Sequence, residues 1–422
     1  MLIQFCVENF RSFKEEAVLS MEASSDKTHP DNVVTIGKDR IIKTASIFGA
    51  NASGKSNVFM ALTAGIMIVR NSLMLPPNAP ISGIIPFRFD KEMLEKPTAF
   101  KFVFCTGGKK YIYGFSATRK RIIEEYLYVY KTSKASTIFE REETNKYKFT
   151  SPTLKKAMQP LQDRTAENKL FLATTAMFNI PETQAPYLWF SNSINTYSND
   201  AGILQNQTIS SFENDTDSSL KSFTSRLLRE ADINIDDFDF SANEISTEEL
   251  LQRVPVPIKN MVLSVPTNNI HKEYKISTKH SFISDPDEHL MPLDDESFGT
   301  RKLFFLSPLL KKAFDTGETI CIDEFDTSLH PMIVIYLVGL FNNTAVNKAN
   351  AQLIISSHTM DLLSLRVMRR DQIYFVDKRQ STGVSELYSL DEFSPRIGED
   401  IRKAYLLGRY GSVPTIIECG DN

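Results

Sequence analysis

Two segments far apart in the chain constrain its fold more than any other feature: a glycine-rich loop and an apolar strand that ends in two carboxylates. Residues 49–56 have the pattern G-x-x-x-x-G-K-[ST], and residues 319–324 read Thr-Ile-Cys-Ile-Asp-Glu. Such a loop aims backbone N–H groups at phosphate oxygens. The two carboxylates supply a magnesium ligand and a group that activates water. Together the segments predict a site for ATP hydrolysis.

The glycine-rich loop lies in the context that its chemistry requires. A short apolar strand is predicted over 45–48, and helical periodicity without an internal proline follows over 57–75. Gly49 and Gly54 let the backbone approach the phosphates, Lys55 neutralises them, and the Ser56 hydroxyl is a magnesium ligand. The other predicted nucleotide-binding residues of this segment are Asn51, Ala52, Ser53 and Asn57. The alternative is a glycine turn formed by chance.

Three polar residues downstream complete the predicted catalytic group. Asp323 is expected to hold Mg²⁺, directly or through water, and Glu324 to polarise the attacking water; the alternative for Glu324 is a solvent-facing strand end. His358 follows a predicted buried strand over 352–356, so it emerges where open α/β sheets place ligand-contacting groups. Its imidazole can donate a hydrogen bond to the terminal phosphate, and a structural histidine is the alternative. For His330 a structural or interface role is expected.

Composition indicates a water-soluble globular protein. The 422 residues are 42% hydrophobic and 24% charged, enough for a large core in two or three lobes. The net charge of −4 provides no global positive field for nucleic acid. The N-terminus lacks the features of a signal peptide, and the apolar run 332–341 is too short for a bilayer, so a cytoplasmic protein without a membrane partner is expected. Dispersed cysteines favour reduced thiols, and magnesium is the only metal implied.

Periodicity predicts a mixed α/β fold with an antiparallel subdomain. Strands over 2–7 and 17–21 form a hairpin, and alternation over 86–130 predicts further antiparallel strands that turn at Gly107-Gly108. Toward the C-terminus helices alternate with buried strands, which is typical of a parallel sheet. The elements predicted there are helices over 297–314, 331–341 and 401–407 and strands over 320–323, 352–356, 372–376 and 384–387.

The changes in character along the chain predict three segments. Residues 1–150 form the N-terminal part of the ATPase domain, with the glycine-rich loop of residues 49–56, called the phosphate loop below, and the antiparallel subdomain. Residues 285–422 form the C-terminal part of the same domain. Residues 151–284 form an inserted, mainly helical lobe, which is too short for a long coiled coil. Other elements predicted in and beside the lobe are a helix over 219–230, strands over 260–265 and 272–276, an acidic turn over 232–239 and a loop over 284–296.

The order of the motifs resembles that of ABC-type ATPases. After the phosphate loop come Ser297-Phe298-Gly299-Thr300, then residues 322–326, then Ser356-Ser357-His358. Residues 9–13, 48–57, 323–331 and 408–414 look like those of the stand-alone prokaryotic ATPases of the AAA15/AAA21 group. That group includes RloA and abortive-infection AbiLii-like proteins and is related to the OLD, RecF and Rad50 ATPases. The likeness spans most of the chain and implies an ABC-type ATPase head.

The resemblance implies that two copies enclose two ATP molecules, as an ATP-dependent homodimer or higher oligomer. Ser297 and Gly299 would then contact, in trans, ATP held by the other subunit's phosphate loop. A serine hydroxyl and the N–H groups of a helix start form a ready anion site, and an ordinary helix N-cap is the alternative. Residues 297–300 correspond to the signature segment of these ATPases, and Phe298 departs from its usual Leu-Ser-Gly-Gly-Gln pattern.

The resemblance leaves three points open. Asp326 either communicates across the dimer or is a plain helix-entry aspartate. Arg11 or Phe13 is a candidate adenine contact. No glutamine loop is recognised over 81–89.

Charge clusters elsewhere are interpreted as solvated turns, in preference to nuclease metal sites for the acidic residues and nucleic-acid contacts for the basic ones. The acidic residues concerned are Asp232, Asp236, Asp237, Asp239, Asp285, Asp287 and Glu288; the basic ones are Lys109, Lys110, Arg119, Lys120 and Arg121.

The leading hypothesis is a magnesium-dependent ATP hydrolase that acts as a nucleotide-gated switch or scaffold. Its expected setting is defence against phage, with a separately encoded effector such as a nuclease. The alternative is a DNA-repair or chromosome-maintenance ATPase that binds DNA directly, so nucleic acid stays open as a partner. A transporter subunit is disfavoured by the divergent signature segment, and a decayed site is disfavoured by the intact Lys55, Ser56, Asp323 and Glu324.

Overall fold

The structure is a computed structural model that describes residues 1–132, 134–231, 235–253, 270–282, 285–396 and 398–413. It divides into two compact units. The core unit comprises Met1–Asn199, Lys312–Thr327 and Pro331–Asn422, and the inserted unit comprises Asp200–Lys311 and Ser328–His330.

Strands and helices are numbered separately in chain order. The strands are β1 (Leu2–Glu8), β2 (Ala17–Ser20), β3 (Val33–Ile36), β4 (Asp39–Ile42), β5 (Thr44–Phe48), β6 (Thr98–Thr106), β7 (Lys109–Ala117), β8 (Ile122–Tyr130), β9 (Ala135–Glu142), β10 (Lys146–Lys148), β11 (Ile194–Tyr197), β12 (Asp237–Ser246), β13 (Ile270–Phe282), β14 (Asp285–Pro292), β15 (Thr319–Ile322), β16 (Gln352–Ser356), β17 (Ile373–Lys378) and β18 (Ser385–Ser389). The helices are α1 (Lys55–Asn71), α2 (Lys91–Glu95), α3 (Pro152–Gln162), α4 (Phe171–Met177), α5 (Pro181–Asn192), α6 (Ala201–Glu213), α7 (Ser219–Glu230), α8 (Thr247–Arg253), α9 (Phe298–Thr316), α10 (Pro331–Asn342) and α11 (Ile401–Leu406).

A six-stranded sheet, in the order β11-β15-β16-β5-β17-β18, forms the centre of the core unit. All its neighbouring strands are parallel except β17 and β18. Every residue of β5, β15 and β16 is buried, as expected for parallel strands covered on both faces. The register pairs Ile322 with Ile355 and Ser356 with Ile47, so these three strands end side by side.

A seven-stranded antiparallel sheet, in the order β10-β9-β8-β7-β6-β1-β2, forms the second layer of the core unit. The predicted turn at Gly107-Gly108 is confirmed, because both glycines have positive φ angles, 55° and 71°, in the two-residue loop between β6 and β7. Helix α5 packs on this sheet: Trp189 stacks on Phe104 with ring centroids 4.0 Å apart. Helices α3 to α5 therefore belong to the core unit.

The inserted unit begins at Asp200, later than the expected lobe boundary at 151, and extends to Lys311. Its aromatic core joins α6, β12 and α9 through Phe212, Phe238 and Phe304, with ring centroids 4.9 to 5.4 Å apart. Besides the expected helices it contains a three-stranded antiparallel sheet, β12-β13-β14.

The sheet of the inserted unit corrects two predictions. The expected loop over 284–296 is wrong, because Asp285–Pro292 is a strand that pairs with β13, with Met291 opposite Thr278. The expected turn over 232–239 is wrong from Asp237 onward, because β12 pairs there with the other edge of β13. Backbone pairing with a neighbouring strand overrides the turn preference of acidic and proline-rich sequence.

The other predicted helices and strands of the C-terminal region and of the N-terminal hairpin are confirmed, with shifted ends. The strand predicted over 260–265 lies outside the described residues, as do Asp232, Pro414 and Cys419. Cys6, Cys105 and Cys321 are buried free thiols, as expected. Among the described residues no helix has both the length and the apolar character needed to cross a membrane.

A buried carboxylate joins the antiparallel sheet to α4. Glu125 of β8 accepts hydrogen bonds from the backbone N–H groups of Phe171 (2.6 Å) and Leu172 (2.8 Å) and from the Tyr113 hydroxyl (3.0 Å). The guanidinium of Arg141 lies 3.6 Å away, and both charged side chains are fully buried. Glu125 thus caps a helix whose own N-cap, Leu170, supplies no side-chain bond.

Glu125→Ala is expected to destabilise the core unit by about 3–5 kcal/mol, because Arg141 is left buried without its carboxylate. The fluorescence of Trp189, the single tryptophan, reports this unfolding in urea. Glu142→Ala is the control, since Glu142 forms an exposed pair with Lys148 worth about 0–1 kcal/mol. Equal shifts of the unfolding midpoint in the two variants would contradict this account.

Candidate nucleotide-binding site

The phosphate loop connects β5 to α1 in a conformation that requires both of its glycines. Gly54 has a φ angle of 117°, and a Cβ there would lie 2.6 Å from Ser385 Oγ and 2.9 Å from Ser12 Oγ. A Cβ on Gly49 would overlap the carbonyl oxygen of Val376. A side chain at either position would therefore displace the loop from the strands beneath it.

Two serines to which the sequence analysis assigns no role support the loop. Ser12, in the turn before β2, accepts a hydrogen bond from Asn57 Nδ2 (2.7 Å), and its carbonyl accepts one from Ser385 N (2.7 Å). The Ser385 hydroxyl in turn donates to the carbonyl of Ser53 (2.5 Å). The N-terminal hairpin and β18 thus fix the loop from two sides. Small hydroxyl residues in a turn and at a strand start are too common to signal this role.

Lys55 is folded over the loop that it follows. Its Nζ donates to the carbonyls of Gly49 (2.7 Å) and Ala50 (3.1 Å). Burial lowers the pKa of the Lys55 ammonium, and the nearby carboxylates of Asp323, Glu324 and Asp326 act in the opposite direction. A partly desolvated ammonium is suited to an anionic ligand, because an opposite charge favours its charged form.

The residues around the loop fit a bound phosphate. The first turn of α1 has Gly54 as its N-cap and no side-chain capping bond, and Asn57 N donates to the Gly54 carbonyl (3.0 Å), so the N–H groups of Lys55 and Ser56 are placed to bind an anion. Ser53 Oγ is buried and has no hydrogen-bond partner among the described residues. A cavity of about 180 Å³ lies beside the loop. Its lining residues are Ala50, Asn51, Ala52, Gly54, Lys55, Ser56, Asn57, Glu324 and His358.

Ser356, at the end of β16, positions both carboxylates that follow β15. Its hydroxyl donates to Asp323 Oδ1 (2.5 Å) and accepts a hydrogen bond from the backbone N–H of Glu324 (2.7 Å). Glu324 has a φ angle of 50°, in the left-handed region, and its carbonyl accepts a bond from Asn199 Nδ2 (2.8 Å). These bonds hold a strained backbone that leaves the Glu324 side chain exposed at the cavity.

Asp326 organises the segment that carries His358. Its Oδ2 accepts three hydrogen bonds: from the backbone N–H of His358 (2.7 Å), the Thr359 hydroxyl (2.8 Å) and the Ser357 hydroxyl (2.9 Å). His358 is exposed and lines the same cavity as Glu324. Asp326 is therefore a fixed link between the acidic loop after β15 and the histidine after β16.

The signature segment belongs to the inserted unit. Ser297 Oγ accepts a hydrogen bond from Thr300 N (3.1 Å), which is the geometry of an ordinary helix N-cap. Ser297 and Phe298 are exposed, and the Arg301 guanidinium lies 4.6 Å from the centre of the Phe298 ring. Gly299 approaches the carbonyl of Ser328 so closely that a Cβ would lie 2.7 Å from that oxygen.

The two candidates for an adenine contact differ in accessibility. Phe13 is fully buried, whereas Arg11 lines a second cavity of about 510 Å³ beside α1. Arg11 Nε is buried and has no hydrogen-bond partner among the described residues. The same cavity is lined by Met60, which lies one helical turn beyond Asn57.

Three of the charged residues that are interpreted as parts of solvated turns form local contacts. Asp237 accepts a hydrogen bond from Ser225 Oγ (2.7 Å), and Asp239 lies 3.2 Å from Lys279. Lys110 pairs with Asp39 (2.7 Å). Each of these three charges therefore has a partner within the protein.

The strand, loop and helix of β5 and α1 define a P-loop nucleotide-binding domain. The family model described as "AAA domain, putative AbiEii toxin, Type IV TA system" matches residues 45–155 and 179–364, more than half of the chain. The chain therefore belongs to this family, which confirms the resemblance to the AAA21 group. No curated protein matches the sequence.

Solved structures similar to this chain include heads of SMC proteins. The SMC head domain from Thermotoga maritima is 14% identical, with a TM-score of 0.42 over 92% of this chain and 98% of that one. An Smc head bound to the C-terminal domain of ScpA, derived from Pyrococcus furiosus, is 13% identical, with a TM-score of 0.39 over 93% and 97% of the two chains.

Asp326→Ala is expected to raise backbone hydrogen exchange over residues 357–359 by about tenfold or more. Three donors lose a charged acceptor, and one such bond contributes about 1.5–3 kcal/mol. Asp361→Ala is the matched control, because Asp361 pairs with exposed Arg402 nearby. Unchanged exchange in Asp326→Ala would show that the segment is held by other contacts.

Proposed function

We propose that this protein binds ATP with Mg²⁺ and hydrolyses it. The observation that carries the proposal is the cavity at which the phosphate loop, Glu324 and His358 meet. Lys55 and the N–H groups of the α1 start bind the phosphates, joined by Gly49, Asn51, Ala52, Ser53, Gly54 and Asn57 of the loop. The Ser56 hydroxyl and the Asp323 carboxylate hold Mg²⁺, which when bound neutralises charge on the phosphate oxygens.

In this proposal Glu324 acts on the attacking water, and His358 acts on the terminal phosphate. The Glu324 carboxylate accepts a proton from the attacking water and orients that water toward the terminal phosphate. The His358 imidazole donates a hydrogen bond to a terminal phosphate oxygen. Ser356 and Asp326 are positioning residues: Ser356 holds Asp323 and the backbone of Glu324, and Asp326 holds the backbone of His358.

Self-association is the second part of the proposal. The phosphate cavity of one copy receives Ser297 and Gly299 from a second copy, so that two subunits enclose two nucleotides. Support comes from the inserted unit, where Ser297 is exposed at the start of α9, a helix of 19 residues whose N-terminus favours anions. The exposed Phe298 ring, 75% accessible, adds apolar surface for such a contact.

The biological role proposed is a nucleotide-gated switch or scaffold in defence against phage, together with a separately encoded effector such as a nuclease. The family description, which names a toxin of a toxin–antitoxin system, supports a defence setting. A gating role follows from ATP contacts that exist only in the associated state, since hydrolysis then removes them. Retention of DNA by the purified protein, lost as salt rises, would favour the DNA-maintenance alternative instead.

Glu324→Gln is expected to bind ATP like the unmodified protein and to lower kcat by about 10²–10⁴-fold, because the amide cannot accept the proton. Equilibrium binding of labelled ATP and single-turnover phosphate release measure the two quantities separately. Lys55→Ala is the comparison and loses binding as well. Turnover at the unmodified rate in Glu324→Gln would remove this residue from the reaction.

We further propose that the cavity beside Arg11 holds the adenine base. Ser12, the neighbour of Arg11, is hydrogen-bonded to Asn57 in the first turn of α1. Met60, one turn further along α1, lines the cavity together with Arg11. A guanidinium in an apolar cavity is suited to stacking on a base.

Arg11→Leu is expected to weaken ATP binding about tenfold and to leave inorganic triphosphate binding unchanged, because stacking of this kind contributes about 1–2 kcal/mol. Isothermal titration with each ligand makes the comparison. An equal loss for ATP and triphosphate would show that Arg11 acts on the phosphates and not on the base.

A further inference from the structure

The residue before the signature serine is held by a buried polar cluster of the inserted unit. Glu296 Oε1 accepts a hydrogen bond from the Thr278 hydroxyl (2.5 Å), and His280 Nε2 lies 2.8 Å from the same oxygen. Because a carboxylate is only an acceptor, the imidazole donates in this bond. Thr278 is fully buried, and the side chains of His280 and Glu296 are 9% and 7% exposed.

The cluster joins β13 to the start of α9. Thr278 and His280 lie on β13, and Glu296 lies two residues before the first residue of α9, Phe298. Thr278 and His280 are two positions apart on the strand, so their side chains project to the same face. Glu296 is thus tied to a strand that is paired on both edges, with β12 and with β14.

The opposite end of the segment is restrained by close packing. Gly299 leaves no room for a Cβ beneath the carbonyl of Ser328, and Ser297 is bonded through its own Oγ to Thr300 N. Ser297 and Phe298, which lie between the hydrogen-bonded Glu296 and the closely packed Gly299, are exposed. The segment is held at both ends and presents its middle to solvent.

A buried carboxylate with two donors is costly relative to an apolar contact of the same size, since the charge must leave water. Packing of α9 alone does not require it, because the aromatic core of the inserted unit already joins α9 to β12 through Phe304 and Phe238. Glu296 fixes the orientation of the backbone at Ser297, because a charged, hydrogen-bonded group allows a smaller range of positions than apolar packing does.

We propose that Glu296 is a positioning residue, held by His280 and Thr278, that aims the Ser297 hydroxyl and the first N–H groups of α9 at the terminal phosphate of ATP bound by a second copy. The proposal rests on the proposed function, in which the signature segment acts in trans. Glu296 itself does not touch the nucleotide; it sets the geometry of the groups that do. A displacement of about 1 Å in such groups is sufficient to lower turnover about 10²-fold.

The test compares His280→Leu, which removes the donor, with His280→Gln, whose amide can still donate to Glu296. We expect His280→Leu to lower kcat about 10²-fold with ATP affinity unchanged, and His280→Gln to stay within about threefold of the unmodified protein. If His280→Leu fails to fold, Thr278→Val removes the other donor at similar volume. Equal, unmodified kcat in His280→Leu and in Thr278→Val would overturn the proposal.

Mixing separates this proposal from the trans arrangement on which it rests. Lys55→Ala subunits lack a phosphate-binding lysine but retain an intact signature segment. They are therefore expected to restore turnover when mixed with His280→Leu subunits, whose own kcat is lowered. Ser297→Ala mixed with Lys55→Ala tests the trans arrangement alone. Restoration in the Ser297→Ala mixture with none in the His280→Leu mixture would contradict positioning of the signature segment by Glu296. Absence of restoration in both mixtures would overturn the trans arrangement, and the positioning proposal with it.

Discussion

The parallel register of β5, β15 and β16 is the constraint on which the candidate site depends. These strands end side by side, so the chain leaves all three at one edge of the sheet. The phosphate loop, the Asp323–Glu324 pair and His358 are far apart in sequence, yet each directly follows one of these strand ends. A one-residue slip of β15 would move Asp323 to the other face of the sheet. All the proposed chemistry follows from this register.

Hydrogen bonds of hydroxyl and carboxylate side chains then fix the relative positions of these segments. Ser356 links the end of β16 to the Asp323 carboxylate and to the backbone N–H of Glu324, and Asp326 links the loop after β15 to the residues that follow β16. Both links join the residues that follow β15 to the residues at and after the end of β16. They tie the proposed magnesium ligand, the proposed base and the proposed phosphate contact together, so that a shift in one segment displaces the others.

The sequence predicts the strands and helices that carry the candidate site because their signals are local, whereas α3 to α5 were expected in the inserted lobe. An apolar run that ends in a glycine-rich loop, or in Asp-Glu, is sufficient to place β5 and β15. The supporting contacts of Ser12, Ser385 and Ser356 are not predictable in this way, because serine is common at turns and strand ends and its partners are distant in the chain.

The inserted unit is harder to predict because its strands depend on pairing between distant segments. The acidic and proline-containing sequence of β14 favours a turn, and only pairing with β13 makes it a strand. No local sequence pattern predicts the role of Glu296, because its partners Thr278 and His280 are identified only from the position of β13 in the structure.

In the proposed function, ATP binding, and not hydrolysis, closes two copies of this chain around the nucleotide. The solution mass of Glu324→Gln protein with Mg²⁺ and either ATP or ADP tests this closure. We expect a doubled mass or a higher multiple with ATP, the unassociated mass with ADP, and no change with either nucleotide in Lys55→Ala. A Glu324→Gln protein that binds ATP and keeps the same mass as with ADP would contradict nucleotide-gated association.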